Sequence, residues 1–408
     1  MVRGLSIGSK ETGEASPIGK ARSSIPRPGL GTNFDHRPHL LFLVTEDWYF
    51  CSHRLPVARA ARDAGFRVSV ATRVAAHGDR IRAEGFDLFP LSWQRRSANP
   101  FDGVRDVLAI ARLYRRLRPD LVHHIAIKPA VFGALAAMAA GVPAIVTTLA
   151  GRGYALSGNS LPSRLAGSAV RAVLRGTGIG RRAVITVQNP DDAAWLRRAP
   201  GVTGVELIPG SGVDLAHFHP LPEPDGPITV AQVSRMLTMK GVEDLVDAVR
   251  RVRARGLDLR LLLAGDSDAG SHAAIPVDRL RDWSAEPGID WLGPVADVRD
   301  VWARAHIAVL ASHGGEGIPK SLLEAAACGR ALVATDVPGS REVARDFINA
   351  WLVPPAAPAA LADALYRAAL DEDRRRRFGI ASRAIVDPAY GEEAVAQRTL
   401  ALYRSLLA

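Results

Sequence analysis

At 408 residues, 48% of them hydrophobic, the chain is long enough for two globular domains with sizeable cores. Only two cysteines, Cys51 and Cys328, exclude a disulfide framework and point to a reducing compartment. A formal charge of +10 and a pI near 10.2 fit nucleic acid, an anionic membrane surface or simply solvated arginines. Without zinc-finger spacing, an RNP motif or a basic zipper, no nucleic-acid partner is expected.

Residues 1–37 are rich in Gly, Ser, Pro and Lys/Arg, lack apolar periodicity, and read as a disordered basic extension. They contain no apolar h-region and are not expected to act as a secretory signal. From residue 38 short apolar runs alternate with longer amphipathic stretches, the pattern of a parallel α/β sheet. Strands are expected at 39–45, 67–72, 121–124, 144–149 and 183–187, with 205–209 as a candidate last strand and an amphipathic helix at 101–117. The uncharged run 130–150 is long enough to span a bilayer, but it is dominated by Ala and broken by Gly141-Val142-Pro143. It is expected to be a buried helix, 129–140, followed by a buried strand.

Gly210-Ser211-Gly212-Val213-Asp214 reads as an interdomain link, after which the rhythm restarts with strands at 228–234, 258–264, 307–311 and 331–335. The expected organisation is an N-terminal Rossmann-like domain at 38–209 and a C-terminal one at 210–390. A terminal helix, 391–408, would pack back toward the first domain. Two such domains facing across a cleft hold ligands at the carboxyl ends of their strands.

Five motifs lie at those strand ends. TEDWYFCSHR (45–54) follows the first strand, and DLVHHIAIKPAVFGALAA (120–137) carries His123-His124 and Lys128. Adjacent strand residues point to opposite faces, so at most one of the two histidines faces the cleft. Ala150-Gly151-Arg152-Gly153-Tyr154 suits close backbone approach to a ligand. VSRMLTMKG (233–241) opens a helix at 242–255 and brings Arg235 and Lys240 toward a common phosphate site. Asp266-Ser267-Asp268 has the D-x-D form that holds a divalent cation elsewhere, but aspartate is commonplace in strand-ending turns, so metal-independent chemistry is expected.

The most informative stretch is SHGGEGIPKSLLEAAACGRALVATDVPGSREV, 312–343. A glycine loop leads into a helix opening at Pro319, whose free amides and positive dipole suit a phosphate. Glu316 lies in the loop; Glu324 lies five residues beyond Pro319, about 7.5 Å along the axis. Two carboxylates so placed can hold hydroxyls on either side of a diphosphate, which fits a nucleotide sugar.

With its E-x7-E spacing, this run resembles the retaining family-4 glycosyltransferases, closest to the bacterial branch that builds lipid-linked surface polysaccharides. The D-W-Y-F…S-H-R pattern of 45–54 matches the same branch. The resemblance covers roughly residue 38 to the C-terminus and implies the GT-B fold, α/β with two Rossmann-like domains. It places catalytic roles on Glu316, Arg235, Lys240 and one of the His123-His124 pair, with His124 preferred. Donor contacts are implied for Glu324, Gly315, Gly317, Ile318, Pro319 and Lys320. Acceptor contacts are implied for His53, Arg54, Gly151 and Gly153; Lys128 is grouped with them, although it could equally meet the donor. Ala150, Arg152 and His313-Gly314-Gly315 depart from the family pattern, which bears on sugar and acceptor specificity rather than fold.

The expected protein is a cytoplasmic glycosyltransferase, peripheral on the inner face of the cell membrane, needing no cofactor. It would move a hexose or N-acetylhexosamine from a UDP-sugar to a polyprenyl-diphosphate-linked saccharide with retention. A sugar-nucleotide epimerase of the same fold and a non-catalytic nucleotide-sugar or lipid-precursor-binding subunit are the alternatives.

Overall fold

The computed structural model describes residues 37–93, 100–153, 156, 160–180, 182–202, 204–268 and 270–408. Apart from Arg37, the extension expected to be disordered lies outside the described residues, as does Tyr154.

Two parallel sheets follow one another along the chain. The first holds β1 (His39–Glu46), β2 (Arg67–Arg73), β3 (Asp87–Pro90), β4 (Leu121–Ile125), β5 (Ala144–Leu149), β6 (Arg182–Val187) and β7 (Val205–Leu207), in the order β3-β2-β1-β4-β5-β6-β7. The second holds β8 (Thr229–Val233), β9 (Arg260–Ala264), β10 (Ile289–Gly293), β11 (Ile307–Leu310), β12 (Ala331–Thr335) and β13 (Ala350–Val353), in the order β10-β9-β8-β11-β12-β13. Central strands such as LVHHI and AIVTTL are buried along their whole length, because helices cover both faces of a parallel sheet.

In each sheet the chain starts in the middle, winds to one edge, then returns to build the other. The pairs β1/β4 and β8/β11 are therefore the points where the crossovers diverge. Crevices open at the carboxyl ends of such pairs, and loops leaving them are placed to hold ligands.

The uncharged run resolves into the helix Ile127–Ala140, ended by Gly141 in the left-handed region (φ +71°), and the buried β5. Among the described residues no helix is long and apolar enough to cross a membrane. Three strands absent from the sequence reading, β3, β10 and β13, are all sheet edges. Edge strands are short and partly exposed, so β3 and β10 lack the continuous apolar run that marks a central strand.

The chain crosses between the two halves twice. At the first crossing Val213 N–H donates to Tyr390 O (2.9 Å); at the second Glu392 N–H donates to Val213 O (3.0 Å). Gly212 (φ +73°) permits this contact, because a Cβ there would lie 2.5 Å from Glu392 Cα. The helix Glu392–Leu407 then lies against the first half. It buries Val395, Ala396, Leu400, Leu402, Tyr403 and Leu406 in one cluster with Leu40, Phe42, Leu55 and Ala58. Each buried Leu contributes about 1.5–3 kcal/mol relative to exposure, enough to hold a helix that ends the chain.

Candidate active site

In the second half the site grows from the ends of β8 and β11. Gly241, in the left-handed region (φ +64°), brings the 235–241 loop so close that a Cβ would meet Ala311 O at 1.9 Å. This contact sets Lys240 beside the loop that follows β11. The Lys240 ammonium pairs with one oxygen of Glu316, and the Ser312 hydroxyl donates to the other. Burial alone would raise the Glu316 pKa, but Lys240 and these hydrogen bonds outweigh it and hold the carboxyl below its ordinary value. Glu316 is therefore ionised at neutral pH. Arg235 Nη1 pairs with Asp268 Oδ2 at 2.8 Å, so the second aspartate of the D-x-D sequence serves an arginine.

The helix below this loop is Lys320–Ala327, and Pro319 precedes it as an N-cap (φ −68°, ψ 121°) rather than opening it. The expected first helical position is corrected by one residue, because extended ψ at Pro319 keeps it outside the turn. No side chain caps this end, which leaves the first-turn amides to other acceptors. Glu324 is buried within the helix, 3.9 Å from Lys320 Nζ. Burial pushes its carboxyl up to about 7, with Lys320 offsetting only part of the shift.

The first half meets this assembly through the segments that follow β1, β5 and β6. Lys320 Nζ donates to Ser52 O at 2.8 Å, in the helix Asp47–His53 that continues from β1. His53 stacks on Tyr49 (4.2 Å between rings, 6° apart) and lies 2.6 Å from Ser52 Oγ. Burial first, then the charges of Lys320, Arg54 and Arg235, lower its pKa to about 3. Its imidazole is neutral, in a field that favours anions.

The loop after β5 docks on the Glu316 loop backbone to backbone. Gly153 N–H donates to Gly315 O (2.8 Å), and Gly317 N–H donates to Ala150 O (3.2 Å). Gly151 (φ +92°) lies so close that a Cβ would sit 2.4 Å from both Glu316 C and Gly317 N. Ile318 N–H donates to Gln188 Oε1 at 2.8 Å. The amides of Gly317 and Ile318 are thus engaged across the cleft, which leaves the Lys320 turn as the amide source for an anion.

Three expected site residues are not brought here. His124 is fully buried against the helix layer, with Nε2 3.1 Å from Tyr114 Oη and its ring packed beneath Gly133. Burial lowers its pKa to about 3. It is a core histidine, so its expected place in the cleft is corrected; His123 is equally buried, on the opposite face, between Tyr403 and Thr148. Arg54 is 2% exposed, beneath the cleft rather than in it, because it caps the buried start of the helix Leu55–Asp63. Lys128 pairs with Asp106 (3.1 Å) and sits 5.2 Å from the ring centres of both Trp93 and Phe132, which draws it into the first half.

The sequence reading missed Ser52, Gln188, Ser312, Asp268 as an arginine partner, and Gly339, where a Cβ would meet Gly317 O at 1.9 Å. Ser312 and Gly339 lay inside the quoted run, but nothing in the sequence marked Gln188.

Comparisons with known proteins agree with this architecture. The family model "Glycosyl transferase 4-like" matches residues 39–186, the first sheet, and "Glycosyl transferases group 1" matches residues 227–371, the second. Sucrose-phosphate synthase from Thermosynechococcus elongatus superposes with TM-score 0.74 at 21% identity, covering 91% of this chain and 99% of that one. Anabaena HepE, solved with UDP and glucose, superposes with TM-score 0.73 at 17% identity, covering 90% and 100%. The fold is GT-B, and the chain belongs to the family-4 glycosyltransferases. A curated relative, the N,N'-diacetylbacillosaminyl-diphospho-undecaprenol alpha-1,3-N-acetylgalactosaminyltransferase of Campylobacter jejuni, is 24% identical over 86% of this chain and 94% of its own length. Several other curated relatives match over 29% to 57% of their own length.

Proposed function

We propose that this glycosyltransferase moves a hexose or N-acetylhexosamine from a UDP-sugar to a polyprenyl-diphosphate-linked saccharide, with retention at the anomeric carbon. The observation that carries the reading is the convergence of Arg235, Lys240 and Lys320 around an uncapped helix start, with ionised Glu316 beside it and Glu324 deeper. Three cations and free amides form a diphosphate site, and two carboxylates flank it for sugar and ribose hydroxyls. The UDP complex of Anabaena HepE and the undecaprenol-linked acceptor of the Campylobacter relative support the choice of donor and acceptor.

Glu324 holds the ribose hydroxyls and Glu316 orients the donor sugar. The acceptor hydroxyl attacks the anomeric carbon on the face from which the diphosphate leaves. The carbon–oxygen bond to diphosphate breaks as the new glycosidic bond forms, and the departing phosphate oxygen takes the acceptor proton. Arg235 and Lys240 stabilise the charge that grows on the leaving group, and this electrostatic contribution stands in for a metal. Both cations rest on carboxylates, Asp268 and Glu316, and exchange them for phosphate when the donor binds. His53, Ser52 and the Gly151–Gly153 loop form the acceptor side.

The enzyme works peripherally at an anionic membrane on the cytoplasmic side. Residues 121–190 contain Lys128 and six arginines but no Asp or Glu. Within them the helix Leu161–Thr177 exposes Leu161 and Leu165 beside Arg164, and Ile179 is exposed just beyond. An apolar stripe with basic neighbours suits a headgroup boundary. The test is incubation with UDP-sugars and polyprenyl-diphosphate saccharides, with the product analysed by mass spectrometry and NMR. One added α-linked sugar from an α-configured donor is expected. An inverted linkage overturns the mechanism, and donor isomerisation without acceptor identifies an epimerase.

A further inference from the structure

Among the described residues, Arg54 is a buried charge left without partners. Its side chain is buried, yet Nε and Nη2 have no hydrogen-bond partner, and it forms no ion pair among the described residues. A buried guanidinium without a counter-charge is strongly destabilising. It lines a small cavity of about 10 Å3, together with His123, Thr148, Thr186, Ile208, Gly210 and Thr399. That volume is near the ~10–15 Å3 at which a cavity holds one water-sized species, so phosphate, carboxylate and nucleotide groups are too large.

The remaining lining is uncharged. His123 is kept neutral by burial and by Arg54 itself. Tyr403, bonded to His123 Nδ1, is likewise held neutral by burial. From His123 Nε2 the contacts continue to Thr148 Oγ1 (2.6 Å) and from there to Thr186 Oγ1 (2.6 Å). With Tyr403 donating to His123 Nδ1, His123 Nε2–H donates to Thr148 and the Thr148 hydroxyl to Thr186 Oγ1, which leaves the Thr186 hydroxyl hydrogen free for a cavity occupant. The Thr399 hydroxyl already donates to Val395 O (2.8 Å).

We infer that this cavity is a halide site, in which one chloride is held by Arg54 Nε and Nη2 and by the Thr186 hydroxyl. The anion supplies the missing counter-charge, and water does not. Its position matters because the lining comes from the start of the helix Leu55–Asp63, from β4, the ends of β5 and β6, the Ile208–Gly210 segment and the C-terminal helix. Chloride therefore ties together the elements at the foot of the cleft, below the catalytic residues.

The test uses crystals of the full chain grown in bromide, with anomalous diffraction at the bromine edge. A single anomalous peak within hydrogen-bond distance of Arg54 Nε or Nη2 is expected; a water-like density without anomalous signal overturns the site. In solution, replacing gluconate by chloride at constant ionic strength is expected to raise the melting temperature saturably. The rise should be lost in Arg54→Met and reduced in Thr186→Val. An unsaturable rise, or one that both variants retain, contradicts the inference. If Arg54→Met does not fold, the bromide peak and Thr186→Val decide it.

Discussion

Glu324 and Glu316 are both glutamates of one short loop-helix unit, yet their surroundings drive them apart. Burial leaves Glu324 titrating at about 7, whereas Lys240 keeps Glu316 ionised. Protonation removes acceptor capacity from Glu324, so nucleotide affinity should fall as pH is lowered from about 8 to about 6, and Glu324→Gln should flatten that profile in calorimetry. The sign for stability is the opposite. A carboxyl whose folded pKa is raised holds its proton more tightly when folded, so its contribution is intact below the unfolded pKa and lost as pH rises through about 7. Glu324→Gln should therefore melt higher than wild type on the alkaline side. Lys240→Ala removes a cation aimed at the leaving group, and a loss of about 100-fold to 1000-fold in kcat is expected. Glu316→Ala should likewise act chiefly on kcat, and a purely KM effect in steady-state kinetics would contradict its assignment.

Loops after β5 and β11 bind each other through glycine backbones, and substitution there should act on function and stability together. Gly151→Ala sets a methyl 2.4 Å from Glu316 C, so the Glu316 loop must shift; overpacking of this kind costs about 1–3 kcal/mol. Gly65→Ala is the control, because its φ is also positive (+91°) but a Cβ there meets nothing within 4 Å. Thermal melting should show loss in both variants, and kinetics should show loss only in Gly151→Ala. Elements buried on both faces were legible from sequence, since β1 and β12 are built on continuous apolar runs and β4 and β5 on short apolar stretches bounded by turns. The edge strands β3 and β10 were not, because a half-exposed strand of four or five residues carries no such run. The site followed the same division. Glu316, Glu324, Arg235 and Lys240 stood at strand ends in a recognisable pattern. Which way His124 and Arg54 face depends on packing against Tyr114 and on the depth of the helix start, neither of which is local in sequence. Gln188 reaches Ile318 across 130 residues, a contact that no short motif encodes.

At the scale of the molecule, two Rossmann-like halves are joined by two adjacent crossings and by a terminal helix that returns to the first half. Removing residues 392–408 uncovers the Leu40, Phe42, Leu55 and Ala58 cluster, so the truncated chain should lose cooperative unfolding in calorimetry rather than merely lose activity. Each half contributes its own β1/β4 or β8/β11 crevice, and the donor reading assigns nucleotide binding to the second. Isothermal titration of UDP into the protein in EDTA, repeated with Glu324→Ala, tests this most directly. Saturable, metal-independent UDP binding that the variant loses is expected. UDP that fails to bind, or that binds the variant as tightly as the wild type, would contradict it.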